Sequence, residues 1–346
     1  MKKRFLLFIF ILILLLCTAC GVEKGDQDKN EGTQNSEETI VDLYPMTIVD
    51  QAGREVVIES QPKSLVSSYY ITTSALLALD LKAEIKGVES NPEKRSLYKL
   101  CAPELFEVTQ VGSPKEFDLE ACASVKPDLV ILPLRAKDMV KPLEDLGITV
   151  MVVNPESQDE IFKMLQLIGQ ATGREKRAEE LVSYIQNKID FVKDKMLEVD
   201  TPLVYLGGNS SFFSTASKGM YQNDLISLAG GKNVASQIDD TYWVEVSYEQ
   251  ILDWNPEYII MASEASYSME EIQGDENLAY CQAIENNKVY KIPSDIEDWD
   301  SPVPSSFLGV AYLANVLHPD LISSEQYQDM VKEYYETFYG FTCLEK

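Results

Sequence analysis

A chain of 346 residues, 45% of them hydrophobic, carries enough apolar material for two ordinary domains with cores of their own, which excludes a wholly disordered protein. A formal net charge of −26 at pH 7 repels phosphate backbones and anionic headgroups, so no nucleic-acid partner is expected. No acidic block is long enough to read as a functional tail, and the charge reads as solubility.

Residues 1–19 predict a signal segment. Lys2, Lys3 and Arg4 make a positive start, and Phe5 to Leu16 is a continuous apolar run, short for a membrane span. The run ends in Cys17-Thr18-Ala19-Cys20, which resembles the bacterial lipobox except that Cys17 stands where that motif usually has Leu. The resemblance implies lipidation at Cys20, and hence attachment to the membrane through a lipid anchor only. Residues 20–43 are polar and nearly free of aromatics, the composition of a flexible tether. Four further cysteines, Cys101, Cys122, Cys281 and Cys343, show no C-x-x-C spacing, so zinc is not implied. Cys122 lies between apolar helix positions and reads as a buried small hydrophobe.

Residues 44–156 read as a first α/β lobe. MTIVD and EVVI flank a turn through Gly53 and predict a hairpin. A short strand at 64–67, a helix at 72–79, the strand IKGV, the strand LVIL, a helix at 139–146 and the strand ITVMVV follow. Residues 157–200 predict a helical region interrupted near Gly173, with Ala178, Leu181, Ile185, Ile189, Val192 and Met196 spaced by three or four along its second part. Residues 201–346 repeat the α/β alternation, from LVYLGG through a helix near 221–229, YIIM and VYKIP to closing helices at about 305–317 and 324–338.

One pattern occurs once in each lobe. FDLEACASVKPDLVI at 117–131 and VSYEQILDWNPEYII at 246–260 each carry a Glu, a Pro seven positions later, an acidic residue and an apolar triplet. Proline disfavours the helical conformation in the residue before it, so Lys126 and Asn255 should end their helices. The triplets then enter buried strands. A repeat in each half predicts two similar lobes around a cleft.

Six segments in order, DQAGREVVI, QPKSLVSS with ALLALDL, DLEACASVKPDLVI, LEDLGITVMVV, IGQATGREKRAEEL and LISLAGGKNVA, make the chain resemble the substrate-binding lipoproteins of ABC importers, in the class that handles ferric siderophores, haem and cobalamin. The resemblance covers residues 46 to about 340 and implies two Rossmann-like lobes with mainly parallel sheets joined by one long α-helix, the class III periplasmic-binding-protein fold. It also implies a permease dimer with ATPase subunits as partners. Glu120 and Glu249 match the family's exposed glutamates that dock on arginine pockets of the permease.

Ligands of such sheets sit beyond the carboxyl ends of the strands. That rule nominates Ser68, Tyr69, Tyr70, Ser113, Lys115 and Arg135 in the first lobe, and Asn209, Phe212, Phe213 and the loop around Trp299 in the second. Trp243 stands where relatives often carry a ligand-facing Trp. The family usually has a Ser-Pro pair and a later Glu in the first loop; Tyr69 and Tyr70 replace the pair and Ser74 replaces the Glu. An aromatic lining suits a bulky chelate, and Arg135 or Lys115 suits an anion.

The one histidine, His318, precedes a proline at a predicted helix end and reads as structural, which argues against import of bare metal ions. A phenolate of Tyr69 or Tyr70 is the conceivable ligand for haem iron. No G-x-S-x-G, P-loop or paired-His motif is present, so neither enzyme activity nor a cofactor is expected. The expectation is a monomeric, lipid-anchored receptor on the extracytoplasmic face. It captures a chelated iron compound, a ferric siderophore first and haem or cobalamin next, with an oxyanion third. The alternative is a sensory or adhesive surface lipoprotein of the same fold.

Overall fold

A computed structural model describes residues 43–239 and 242–343; the signal segment, Cys20 and the tether up to residue 42 lie outside the described residues. The described body opens with the predicted hairpin, β1 (Met46–Val49) and β2 (Glu55–Ile58). Asp50 holds its turn, with Oδ1 accepting from the N–H groups of Ala52 and Arg54 at 3.0 and 2.9 Å. Its Oδ2 accepts from the Val152 N–H at 3.1 Å, which fastens the hairpin to the first lobe.

That lobe runs β3 (Leu65–Ser67), α1 (Tyr70–Ala78), β4 (Ile85–Val88), α2 (Ser96–Cys101), β5 (Thr109–Gln110), α3 (Leu119–Ser124), β6 (Leu129–Pro133), α4 (Val140–Asp145) and β7 (Thr149–Val153). The strands lie in the order β5-β4-β3-β6-β7, parallel throughout. Alternate side chains of β6 feed two separate cores, Leu129 and Ile131 into one and Val130 and Leu132 into the other. Both faces of the sheet are therefore covered, which is why its strands read as unbroken apolar runs.

Two helices lead to the second lobe: α5 (Gln158–Thr172) and α6 (Glu175–Lys195). Gly173 separates them at φ +69°, where a Cβ would lie 2.7 Å from the Gln61 amide. The 21 residues of α6 span about 31 Å at 1.5 Å per residue. Its buried stripe is Ala178, Leu181, Ile185, Ile189 and Val192. Met196, expected to continue the stripe, is instead the C-cap.

The second lobe runs β8 (Leu203–Gly207), β9 (Ser214–Ala216), α7 (Tyr221–Leu228), β10 (Lys232–Asn233), β11 (Trp243–Glu245), α8 (Tyr248–Trp254), β12 (Tyr258–Met261), α9 (Met269–Gln273), α10 (Gln282–Glu285), β13 (Val289–Lys291), α11 (Phe307–Leu317) and α12 (Ser324–Tyr339). Its order is β11-β9-β8-β12-β13, with β10 also pairing β8. The β8-β12-β13 core and β10 are parallel; β9 and β11 form an antiparallel edge.

The repeated pattern does the same structural work in both lobes. Asp118 and Ser247 cap α3 and α8, accepting from Ala121 N–H at 2.9 Å and Gln250 N–H at 3.3 Å. Lys126 and Asn255 both turn left-handed, at φ 51° and 43°, directly before the prolines. The next acidic residue then reaches a central strand. Asp128 accepts from the Ser64 N–H at 2.9 Å at the entrance to β3, and Glu257 accepts from the Leu203 N–H at 3.1 Å at the start of β8. The Ala229-Gly230-Gly231 run packs closely: a Cβ on Gly230 would sit 2.8 Å from Met196 Sδ and 2.9 Å from His318 Nε2. His318 is the C-cap of α11, and its Nε2 lies 3.2 Å from the Gly230 carbonyl, a structural contact. Cys122 is fully buried.

Candidate functional site

The chain leaving β3 turns at Tyr69, whose backbone is extended at φ −147° and ψ 119°, and α1 begins at Tyr70. Ser67 stabilises this turn, donating from Oγ to the Tyr69 carbonyl at 3.0 Å, with Thr73 Oγ1 2.8 Å away. Every residue of α1 after Tyr70 is buried, so Tyr70 is the helix's half-buried side chain at its entrance. The two tyrosine rings meet edge to face at 5.3 Å. Arg95 lies over the Tyr70 ring at 4.0 Å and Arg135 over the Tyr69 ring at 4.6 Å.

Opposite stands the loop that leaves β13. Tyr70 donates to Ser301 Oγ at 2.8 Å, Arg95 Nη1 to Asp298 Oδ2 at 3.2 Å, Ser74 Oγ to Glu297 Oε1 at 2.5 Å, and the Leu97 N–H to the Ile296 carbonyl. Between these bridges lies a cavity of about 170 Å³, lined by Tyr70, Ser74, Lys94, Arg95 and Tyr98 of the first lobe and by Ser263, Glu264, Ser294, Glu297 and Asp298 of the second. It lies beyond the carboxyl ends of β3, β4, β12 and β13, where sheets of this kind hold ligands.

Its carboxyl groups are shaped by burial. Glu297 accepts from Ser74, Ser305 at 2.7 Å and Tyr335 at 3.0 Å, and burial pushes its pKa up. Glu89, behind the cavity, accepts from Tyr98 at 2.6 Å and Thr73 at 2.7 Å and is also raised by burial. Burial, then the neighbouring Glu264 and Asp300, push Asp298 up to about 7 against the pull of Arg95. Burial raises Tyr69 to about 12 and Tyr70 well above the ordinary phenol value, which works against an iron-ligating phenolate at either. Among the described residues no group of three or more His, Cys, Asp or Glu is gathered for a metal ion.

Of the nominated residues, Tyr70 alone lines this cavity, with Tyr69 and Arg135 stacked beside it. Ser68 is buried, its Oγ without a hydrogen-bond partner. Ser113 and Lys115 belong to the tight loop closed by mutual Ser113–Glu116 backbone bonds, outside the cavity lining. Asn209 is half-buried with a partnerless Oδ1, and Trp243 packs on Gly208, where a Cβ would lie 2.8 Å from the indole.

Three nominations, Trp299, Phe212 and Phe213, are corrected. Trp299 is 4% exposed and turns inward, donating from Nε1 to Tyr335 at 3.0 Å; its neighbour Asp298 faces the cavity instead. Phe212 is 5% exposed within an aromatic cluster with Tyr205, Phe213 and Tyr267, and Phe213 meets the Tyr248 ring at 4.7 Å. Both phenylalanines thus serve the second lobe's own packing. Sequence reasoning missed Arg95, Glu264 and Glu297. The strand-end rule applied to β4 nominates Arg95, and applied to β12 it nominates Glu264. The carboxylate missing at Ser74 is replaced by Glu297 from the opposite lobe, a pairing across more than two hundred residues with no local signal.

Two α/β lobes meeting around a polar cavity define a solute-binding protein. The chain belongs to the periplasmic binding protein family, whose model matches residues 65–296. It is similar to an uncharacterised ABC transporter substrate-binding lipoprotein, YvrC, of Bacillus subtilis, at 27% identity over 92% of this chain and 99% of that one. It is also similar to the molybdate-binding protein MolA of Haemophilus influenzae, at 26% identity over 86% of this chain and 92% of that one. A solved structure of molybdate-bound MolA superposes with a TM-score of 0.77 at 24% identity, covering 87% of this chain and all of that one, and shows the shared fold. The vitamin B12-binding protein of Salmonella choleraesuis is 26% identical over 64% of this chain and 81% of its own length. This chain is accordingly the substrate-binding component of an ABC importer. Among the described residues no helix is long and apolar enough to cross a membrane.

Proposed function

We propose that the chain captures a compact, metal-bearing anion, a small ferric chelate, in the cavity between its lobes and delivers it to a permease. The observation that carries this reading is the cavity itself, where Arg95 and Lys94 stand with hydroxyl groups of both lobes and with Glu264, Glu297 and Asp298, the last two pushed towards their neutral forms by burial. Its free volume of about 170 Å³ falls below the roughly 300–1,000 Å³ typical of drug-sized ligand pockets, which favours a compact ligand over haem or cobalamin. The same volume, with the molybdate-binding relative, favours a metal oxyanion as second reading. Calorimetric titration with ferric citrate, a ferric tris-catecholate, molybdate, haem and cyanocobalamin tests this; binding of the macrocycles alone contradicts it.

Glu120 and Glu249 are the docking contacts in this reading. Both are exposed and occupy the second residue of α3 and α8, the same place in each lobe. Two matched carboxylates suit a two-fold permease offering guanidinium groups. Lipidation at Cys20 would hold the protein at the extracytoplasmic membrane face, and the ATPase subunits would be separate chains. Ligand binding without uptake in cells that carry the permease would favour the sensory alternative.

A further inference from the structure

We propose that Asp298 is an internal counter-anion, holding from the second lobe the Arg95 guanidinium that an anionic ligand must take over. Capture then replaces the Arg95–Asp298 pair rather than filling a free cationic site. The inference rests on the anion-capture reading above and adds to it the residue that sets affinity.

The geometry is specific. The Arg95 guanidinium is fixed over Tyr70 at 4.0 Å, which leaves its edge N–H groups to hydrogen-bond in the cavity. Asp298 Oδ2 takes one of them at 3.2 Å, and Glu264 Oε1 lies at 3.8 Å from the same nitrogen. Asp298 occupies one guanidinium N–H by a single bond, a place that a ligand carboxylate, catecholate or oxyanion would take. Arg135 on Tyr69 is different: it stands outside the cavity lining, and the acidic group near it is Glu156.

Displacement has a defined cost. Asp298 is 8% exposed, and its other oxygen has only a long 3.4 Å contact from Ser263 Oγ. The charged or titratable groups facing it are Arg95 before α2, Tyr70 at the start of α1, Glu264 after β12, and Glu297 and Asp300 on its own segment. Arg95 is the cation paired with it, and Lys94 lines the same cavity. Once Arg95 turns to a ligand, Asp298 stands among carboxyls in a buried place and takes a proton from solvent. Its value of about 7 before displacement makes that uptake accessible near neutrality. Capture is therefore tighter at lower pH, by up to about tenfold per pH unit for one proton.

The test titrates the full chain with molybdate and with a ferric tris-catecholate at pH 6 and pH 8, in wild type, Asp298→Asn, Arg95→Lys and Arg95→Gln, each checked for native circular dichroism. Expected are several-fold tighter wild-type binding at pH 6, and Asp298→Asn binding that is tighter than wild type at pH 8 and has lost most of the pH difference. Comparing variants on one probe removes the probe's own pH response. Arg95→Gln should weaken binding at least tenfold, and Arg95→Lys, which keeps the charge but not the fork, by less. If wild type binds a probe while Asp298→Asn leaves both affinity and pH dependence unchanged, or Arg95→Gln and Arg95→Lys bind like wild type, the counter-anion role is wrong and anion capture stands. If wild type binds neither probe, both fall.

Discussion

Asp298 links the cleft to the stability of the fold. Its carboxyl moves from an ordinary 3.8 to about 7 on folding, chiefly through burial. Between those values the folded state holds the proton more firmly than the unfolded chain, so this group favours folding in acid and loses that contribution as pH rises towards 7, at no more than ~1.4 kcal/mol per pH unit. Burial also raises Glu89, Glu297 and Asp300, which act with the same sign. The melting temperature should be higher at pH 5.5 than at pH 8, and Asp298→Asn should narrow the gap; a melting temperature that rises over this interval would contradict the assignment. The sequence nominated the 298–302 loop as a cleft wall, but the shift at Asp298 was not legible there, because it comes from burial and from Glu264 and Arg95, which are distant in the chain. Trp299 shows the converse. The sequence places an aromatic beside the cleft, but backbone direction decides which neighbour faces it, and the indole found its partner in Tyr335.

At the scale of elements, most was legible where a local physical rule governs. Pre-proline Lys126 and Asn255, the stop at Gly173 and the apolar triplets of β6 and β12 follow from backbone sterics and two-sided burial. The short strands β5, β9, β10 and β11 and the helices α2, α9 and α10 were not, because two to six residues carry too little periodicity. The start of α1 fell two residues earlier than its apolar pattern predicted, which is what brings Tyr70 to the cavity. Removing the caps, by Asp118→Ala or Ser247→Ala, should each cost ~0.5–2 kcal/mol in urea unfolding. Gly309 in α11 supports the cleft wall, since a Cβ there would lie 2.5 Å from the Trp299 carbonyl oxygen. Gly309→Ala should destabilise the fold by ~1–3 kcal/mol and weaken ligand binding by shifting the 298–301 loop. Unchanged stability would show that this contact relaxes freely.

For the whole molecule, two similar lobes and a long helix between them were readable from the repeat and the six family segments, whereas the contacts between lobes were not. Tyr70–Ser301, Ser74–Glu297 and Arg95–Asp298 each pair residues more than two hundred positions apart. Such pairs leave no spacing to detect in one sequence. The matched positions of Glu120 and Glu249 predict that the double charge reversal Glu120→Lys with Glu249→Lys abolishes uptake while ligand affinity stays within about twofold; uptake at the wild-type rate would remove the docking role. In the proposed function, both lobes hold one ligand at the Arg95 cavity. Hydrogen exchange of the full chain, with and without a saturating ligand, tests it most directly. New protection is expected in residues 70–74 and 95–98 of the first lobe together with 263–264 and 294–303 of the second. Protection confined to one lobe, or to the surface groove that Tyr184, Lys188 and Phe191 of α6 form with Met330 and Glu333 of α12, would rule this out.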